Sequence, residues 1–323
     1  MNRVKRAPYY LLILLFLTGC GRTSLFKETR ILMDTFVEVS FFSHEEKVAK
    51  EAMKETFNEI ERIEGLFNRH NEESELSKIN KSAGRKEVAI HPELFKIIER
   101  AIHYSKVSEG SFDITVAPLV DLWSSARKNN LIPEEEVTER ALEHVGYKNI
   151  VIDKESSSIR FLDDGLKIDL GGIVKGYAAD RAKELLLSKG IENALINIGG
   201  NIFALGNPPG KKSWHIGIQH PRDKNKIIYR LSLKNRAVST SGDYERFFIL
   251  NGKRFSHIID PVSGRPSEGI VSVTVIADSA EASDALSTIV FVMGVEKGLR
   301  LMESFKGVEV FIFDKDEELT RYP

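Results

Sequence analysis

Asp284 and Thr288 stand four residues apart in the run Asp278-Ser279-Ala280-Glu281-Ala282-Ser283-Asp284-Ala285-Leu286-Ser287-Thr288, which reads as a helix. At that spacing they share one helical face. A carboxylate beside a hydroxyl is a pair of hard oxygen ligands suited to Mg2+, which keeps waters and binds substrate phosphates. Asp278, with Glu281 three residues on, has the form of a capping box that opens the helix. The pair also fits a bland reading, an aspartate solvated on a helix and a threonine bonded to its own backbone.

Three more polar clusters sit at turns. Asp169-Leu170-Gly171-Gly172-Ile173-Val174-Lys175-Gly176 puts a carboxylate at a strand end, two glycines where backbone can approach a ligand, and a lysine at a helix start. Free N–H groups and the positive helix end favour a phosphate there. Ser239-Thr240-Ser241-Gly242-Asp243, followed by Ser256-His257-Ile258-Ile259-Asp260-Pro261, gathers hydroxyls, carboxylates and a histidine. His257 beside Asp260 and the serines is a candidate acid/base or phosphate-orienting group. Ser111-Phe112-Asp113-Ile114-Thr115 leads into Pro118-Leu119-Val120-Asp121-Leu122-Trp123, an apolar and aromatic surface. Each cluster alone is equally compatible with a structural turn. The P-loop, the Rossmann G-x-G-x-x-G, the G-x-S-x-G elbow and H-E-x-x-H are absent.

The elements that must position these groups follow from periodicity. Apolar residues at three- and four-residue steps predict helices over 46–67, 93–105 and 134–145. Residues 149–153 and 159–162 read as a hairpin, and 166–170 continue as extended chain. A helix over 175–188 ends at Gly190, a glycine suited to the C′ position. Short strands separated by Gly, Pro and Asn turns fill 194–277. Helices over 279–293 and 295–305 precede a last strand over 308–313. The pattern predicts an α+β fold, a two-lobed body of mixed and antiparallel sheets with flanking helices.

The chain has 323 residues, 46 Lys and Arg against 47 Asp and Glu, and one cysteine. Near-neutral charge without a basic stripe argues against nucleic acid as a partner, and one cysteine excludes an intramolecular disulfide. Arg3, Lys5 and Arg6 precede an apolar run from Tyr9 to Leu17, too short to span a bilayer core of about 30 Å. The run closes on Leu17-Thr18-Gly19-Cys20, which resembles a bacterial lipobox. Residues 1–19 are accordingly expected to be a signal peptide, Cys20 the lipidated residue of a membrane anchor, 20–28 a tether, and 29–323 the catalytic body. That body is mildly acidic once the leader's cations are gone.

Read in order, the clusters resemble the ApbE family, the FAD:protein FMN transferases. Met33-Asp34-Thr35, residues 67–80 around Ser74-Glu75-Leu76-Ser77, 110–123, 169–177, Asn197-Ile198-Gly199-Gly200-Asn201, 238–247, 256–266 and 284–288 carry the likeness. The resemblance implies a Mg2+-dependent exported enzyme that cleaves FAD, transfers FMN to a Thr or Ser hydroxyl of a partner protein and releases AMP. It implies Asp284, Thr288 and the Gly172 carbonyl as metal ligands. It also implies Met33, Ser111, Phe112, Asp113, Asp169, Lys175 and the segment Ser256-His257-Ile258 as FAD contacts. His257 is the expected base, supported by Asp243 or Asp260. The implied acceptor carries a D-[GS]-[AS]-[TS]-like motif on a membrane electron-transport subunit. Asp278-Ser279-Ala280-Glu281 departs from that motif, so the chain is not expected to flavinylate itself. Asp34 and Ser124 stand where glycine is common, the latter opening an expected loop over 124–131. An FAD pyrophosphatase, or a non-enzymatic flavin-binding lipoprotein, would use the same pocket.

Overall fold

Alternation of apolar and polar residues starts the fold as a hairpin, β1 (Ser24–Leu32) and β2 (Thr35–Ser43), paired from Ser24 with Ser43 to Leu32 with Thr35. In this computed structural model the described residues are 23–84, 86–316 and 318–323, and the expected leader and lipid site at Cys20 lie outside them. Residues 24–28 belong to a strand and not to the tether expected from composition. Their alternation is masked because β1 is an edge strand carrying Lys27, Glu28 and Arg30, the charges that discourage edge-to-edge pairing.

The helix α1 (Glu46–Phe67) buries Ala49, Ala52, Met53, Phe57, Ile60, Ile63 and Phe67, the stripe its period predicts. Then come α2 (Glu75–Lys81), capped by the Ser74 hydroxyl, β3 (Val88–Ala89), α3 (Pro92–Val107), α4 (Ala117–Asn129) and α5 (Glu135–Leu142). The expected loop over 124–131 is thus helical as far as Asn129. Pro118 in the first turn and buried Leu119, Trp123 and Ala126 are the helix signal that the family-based reading passed over. β4 (Ile150–Asp153) and β5 (Ser158–Phe161) form the expected hairpin, with β3 on the far side of β5. The helix α6 (Val174–Ser188) stops before Gly190, whose φ of 75° meets the requirement of a C′ residue.

The strands β6 (Ala194–Ile198), β7 (Asn201–Leu205), β8 (Trp214–His220), β9 (Asp223–Leu233), β10 (Arg236–Gly242), β11 (Phe247–Leu250), β12 (Lys253–Ser256), β13 (Ile259–Asp260), β14 (Arg265–Pro266) and β15 (Ile270–Ala277) follow. After α7 (Ala280–Met293) and α8 (Val295–Met302), β16 (Glu309–Asp314) is not the last strand, since β17 (Leu319–Tyr322) pairs with it. Eight strands make one antiparallel sheet in the order β1-β2-β6-β7-β10-β15-β16-β17. Helices α1, α3, α6 and α7 pack a continuous apolar core onto one face. On β10, Ala237 joins that core and Val238 joins a second cluster with Ile218 and Leu231, so the β8–β9 hairpin covers the opposite face. The α+β architecture expected from the sequence is the one observed.

Met33 and Asp34, which join β1 to β2, have φ of 54° and 56°. Two successive residues at positive φ are the type I′ hairpin turn, where glycine avoids the steric penalty of a Cβ. Conformation therefore gives a physical reason for the glycine expected at position 34. Asp34→Gly should raise the urea midpoint without changing the slope, a gain of about 0.5–1 kcal/mol; a lower midpoint would show that the Asp34 side chain stabilises the turn.

Candidate functional site

A cavity of about 530 Å3 opens at the end of the sheet where Met33, Asp34, Thr35, Gly199, Thr240, Ser241 and Gly242 cluster. Every residue expected to bind flavin or metal lines it: Met33, Ser111, Phe112, Asp113, Asp169, Gly172 and Lys175 on one group of segments, Ser256, His257, Ile258, Asp284 and Thr288 on another. Trp123, Phe248 and Phe255 form an aromatic shelf in its wall, with Phe248 and Phe255 stacked at 4.9 Å and 17° and Trp123 5.8 Å from Phe255. The Trp123 indole N–H donates to the Gly264 carbonyl at 2.8 Å, which fixes the ring.

The ApbE family model matches residues 33–312, and that span carries every wall of this cavity. The chain belongs to the ApbE family. An FAD:protein FMN transferase of Klebsiella pneumoniae is 32% identical over 297 residues, 91% of each chain. One from Treponema pallidum is 31% identical over 314 residues, 91% of this chain and 86% of its own. The crystal structure of the Thermotoga maritima ApbE protein superposes with a TM-score of 0.86 at 35% identity, covering 92% of this chain and 97% of that one. The Vibrio cholerae flavin transferase ApbE gives 0.83 at 28% identity, covering 93% and 97%.

In this ApbE chain α6 and α7 exchange carboxylates. Asp284, on α7, accepts the Gly176 N–H of the first turn of α6 at 2.9 Å. Asp180, on α6, accepts the Ala280 and Glu281 N–H groups of the first turn of α7 at 3.1 and 2.9 Å. Each helix thus caps the other. The phosphate seat expected at the start of α6 is therefore partly filled by a protein carboxylate. The helices approach so closely at Gly176 that a methyl group there would lie 2.1 Å from the Ala280 carbonyl oxygen. The capping box expected from Asp278 and Glu281 does not form. Ser279 is the N-cap and accepts from Ala282 at 3.1 Å, while Glu281 pairs with Arg100 at 2.6 Å and Asp278 with Arg236 at 3.2 Å.

The serines of β10 face α7 and hold it in register. Ser239 meets Ser283 at 2.7 Å, and Ser241 meets Ser287 at 2.9 Å and Thr288 at 3.3 Å. They are docking groups, not the His257 partners the sequence suggested. Neither expected supporting carboxylate reaches the imidazole: Asp243 is held by both Nη atoms of Arg222 at 2.6 Å, and Asp260 accepts the Val262 N–H at 2.9 Å. Asp113, at the cavity wall, has its Oδ1 taken by the Thr115 N–H and hydroxyl and its Oδ2 by the Tyr147 N–H, so it shapes the loop.

Two arginines that sequence reasoning passed over complete the site. Arg69, nearly buried, bridges Asp169 at 2.6 Å and Asp121 at 2.9 Å; it lies inside the resembling segment 67–80, its role hidden because both partners are distant in sequence. Arg127 lines the cavity from α4, within the segment expected to be a loop.

Burial pushes the Asp284 carboxyl above the usual carboxylate range, against Lys175 and the Gly176 N–H. Among the described residues no three His, Cys, Asp or Glu side chains converge as a metal site. The oxygen set still fits Mg2+. Asp284 is buried with one backbone donor on Oδ2, and its nearest cation, Lys175 Nζ at 3.9 Å from Oδ1, donates instead to the Gly171 carbonyl at 2.7 Å. Thr288 Oγ1 and Gly172 come together beside it, a Cβ on Gly172 falling 3.6 Å from that hydroxyl. One carboxylate with neutral oxygens is what an ion that retains waters and takes phosphate ligands requires.

His257 is reached by water from the cavity while protein surrounds its other sides. That partial dehydration, then Lys175, Arg246 and Arg127, push its pKa down to about 4. The ring is neutral at pH 7. Its contribution to stability is complete above the ordinary value of 6.5 and is lost as the pH falls toward 4. In the flavin-free protein the His257 ring resonances should titrate well below pH 6 by NMR, and a midpoint at 6.5 would remove the charge influence of Lys175, Arg246 and Arg127. Asp180→Ala should lower stability in urea by about 2 kcal/mol by leaving two buried N–H groups unpaired, and Gly176→Ala by at least about 3 kcal/mol. An unchanged midpoint in either variant would dissolve the capping exchange.

Proposed function

We propose that this chain is an FAD:protein FMN transferase of the cell envelope, anchored through Cys20, that modifies a Thr or Ser hydroxyl of a partner protein and releases AMP. The observation that carries the reading is the joint presence, in one cavity of an ApbE-family chain, of a buried Asp284 carboxylate, a neutral water-accessible His257 and the cations Lys175, Arg127 and Arg246. The aromatic shelf of Trp123, Phe248 and Phe255 suits a planar ring, and the three cations suit a pyrophosphate.

Asp284, Thr288 and the Gly172 carbonyl would hold Mg2+, which neutralises phosphate oxygens and lowers the barrier to displacement at phosphorus. His257 takes the proton of the acceptor hydroxyl as its oxygen bonds to the FMN phosphorus, and the bond from that phosphorus to the AMP oxygen breaks. Among the described residues no carboxylate bonds the His257 ring, and the residue is held at the β12 end, where its backbone N–H donates to the Arg246 carbonyl at 2.9 Å. The preferred acceptor is a membrane electron-transport subunit with a D-[GS]-[AS]-[TS]-like segment.

Incubating the detergent-solubilised protein with FAD and Mg2+, with and without a protein bearing an Asp-Ser-Ala-Thr segment, tests the reading. Acceptor-bound flavin fluorescence with stoichiometric AMP is expected. Acceptor-independent AMP would identify a pyrophosphatase, and unchanged FAD a flavin-binding protein. Asp284→Ala and chelation with EDTA should each abolish transfer, and His257→Ala should slow it about 100-fold or more. Transfer at the parent rate in Asp284→Ala would refute the metal site, and in His257→Ala the base.

A further inference from the structure

The antiparallel sheet has two loop-bearing ends, and the flavin cavity occupies one. At the other end, β1 begins at Ser24 and β2 finishes at Ser43. There the Phe42 N–H donates to the Asn193 carbonyl at 3.0 Å, the Asn207 N–H to Asn193 Oδ1 at 3.0 Å and the Gly206 N–H to Asn235 Oδ1 at 2.8 Å. The Arg236 guanidinium reaches the Gly307 carbonyl. These bonds join the strand ends and loops into one surface. Lys211, Lys212, Lys234 and Lys306 are exposed along it, and no ion pair engages them among the described residues. Arg236 is paired with Asp278 and Arg321 with Glu309, and Glu45, Glu192 and Glu303 are further acidic side chains at this end.

We propose that this lysine-bearing end rests on anionic phospholipid headgroups and that the flavin cavity opens away from the bilayer. The inference depends on lipidation of Cys20 as proposed above. Four Cα steps separate Cys20 from Ser24, a reach of about 14 Å at full extension, so the start of β1 stays close to the membrane surface. The nine residues of β1 rise about 30 Å toward the Met33–Asp34 turn, which is the cavity rim. The lysines set the tilt, because clustered cations beside an anchor are drawn to an anionic surface. Lying on its side instead, the body would press the Lys27–Glu38 ion pair, at 2.7 Å on the outer face of the β1–β2 hairpin, against the headgroups. The acceptor hydroxyl would then have to stand off the bilayer by a comparable distance, on a domain that projects from the membrane.

Energy transfer on full-length lipidated protein tests this. A donor dye is placed on Lys212→Cys or on Lys315→Cys, at opposite ends of the sheet, and a headgroup-linked acceptor dye in vesicles of one part phosphatidylglycerol to three parts phosphatidylethanolamine. Lipidated Cys20 should take no dye, and the protein should float with the vesicles. Transfer several-fold stronger from position 212 than from 315 is expected, with the contrast narrowing when Lys211, Lys234 and Lys306 become glutamates. Equal or reversed transfer in protein that floats overturns the orientation alone. A contrast indifferent to charge reversal overturns the headgroup contact. Failure to float, or dye on Cys20, overturns the anchor and the orientation with it.

Discussion

The reciprocal capping of α6 and α7 is the constraint on which the site depends. A helix end leaves its first N–H groups without partners, and where two such ends meet inside a core a carboxylate must come from somewhere. Here each helix supplies it to the other, through Asp180 and Asp284. Burial opposes ionisation of both groups, and the N–H donors oppose burial. Asp284 is held at the cavity floor by this exchange, so a structural bond and a candidate metal ligand are two oxygens of one carboxyl group. Gly176 is the residue that lets the backbones come close enough for it.

The net charge of the chain is close to zero, and the cavity answers with local charge. Lys175, Arg127 and Arg246 gather at the wall, and their field adds to burial, the larger influence, in keeping His257 unprotonated. A neutral imidazole can accept a proton, whereas a protonated one would only add another cation. The same charges that suit an anionic ligand thereby reinforce the protonation state that burial favours and the proposed chemistry requires.

Much of this was legible in the sequence, for identifiable reasons. The period of 46–67 and the glycine at 190 placed α1 and the end of α6 because local signals decide both. The residues expected around the flavin do share one cavity, since ordered motifs encode a site even when their contacts are long-range. What failed was pairing. Asp243, Asp260 and the Ser239–Ser241 run were grouped with His257 by proximity in the chain, but strands alternate faces and deliver those groups to Arg222, a turn and α7. Residues 24–28 of β1 resemble a tether in sequence because an edge strand carries the charge of a linker. Asp180, one of the two carboxylates that matter most, has no sequence signature, since its partners lie 100 residues away.

The hydroxyl pairs between β10 and α7 have a further implication. Ser283 and Ser287 are one helical turn apart, and Ser239 and Ser241 are successive inward residues of the strand. One tooth out of step, with Ser287 opposite Ser239, only one of the two serine pairs would survive and Ser241 would face Phe291. That slip would carry Thr288 and Asp284 a full turn from Gly172. Asp180, which fits the first turn of α7 alone, opposes the same slip, so the hydroxyl pairs and one carboxylate outside the cavity together fix a single alignment.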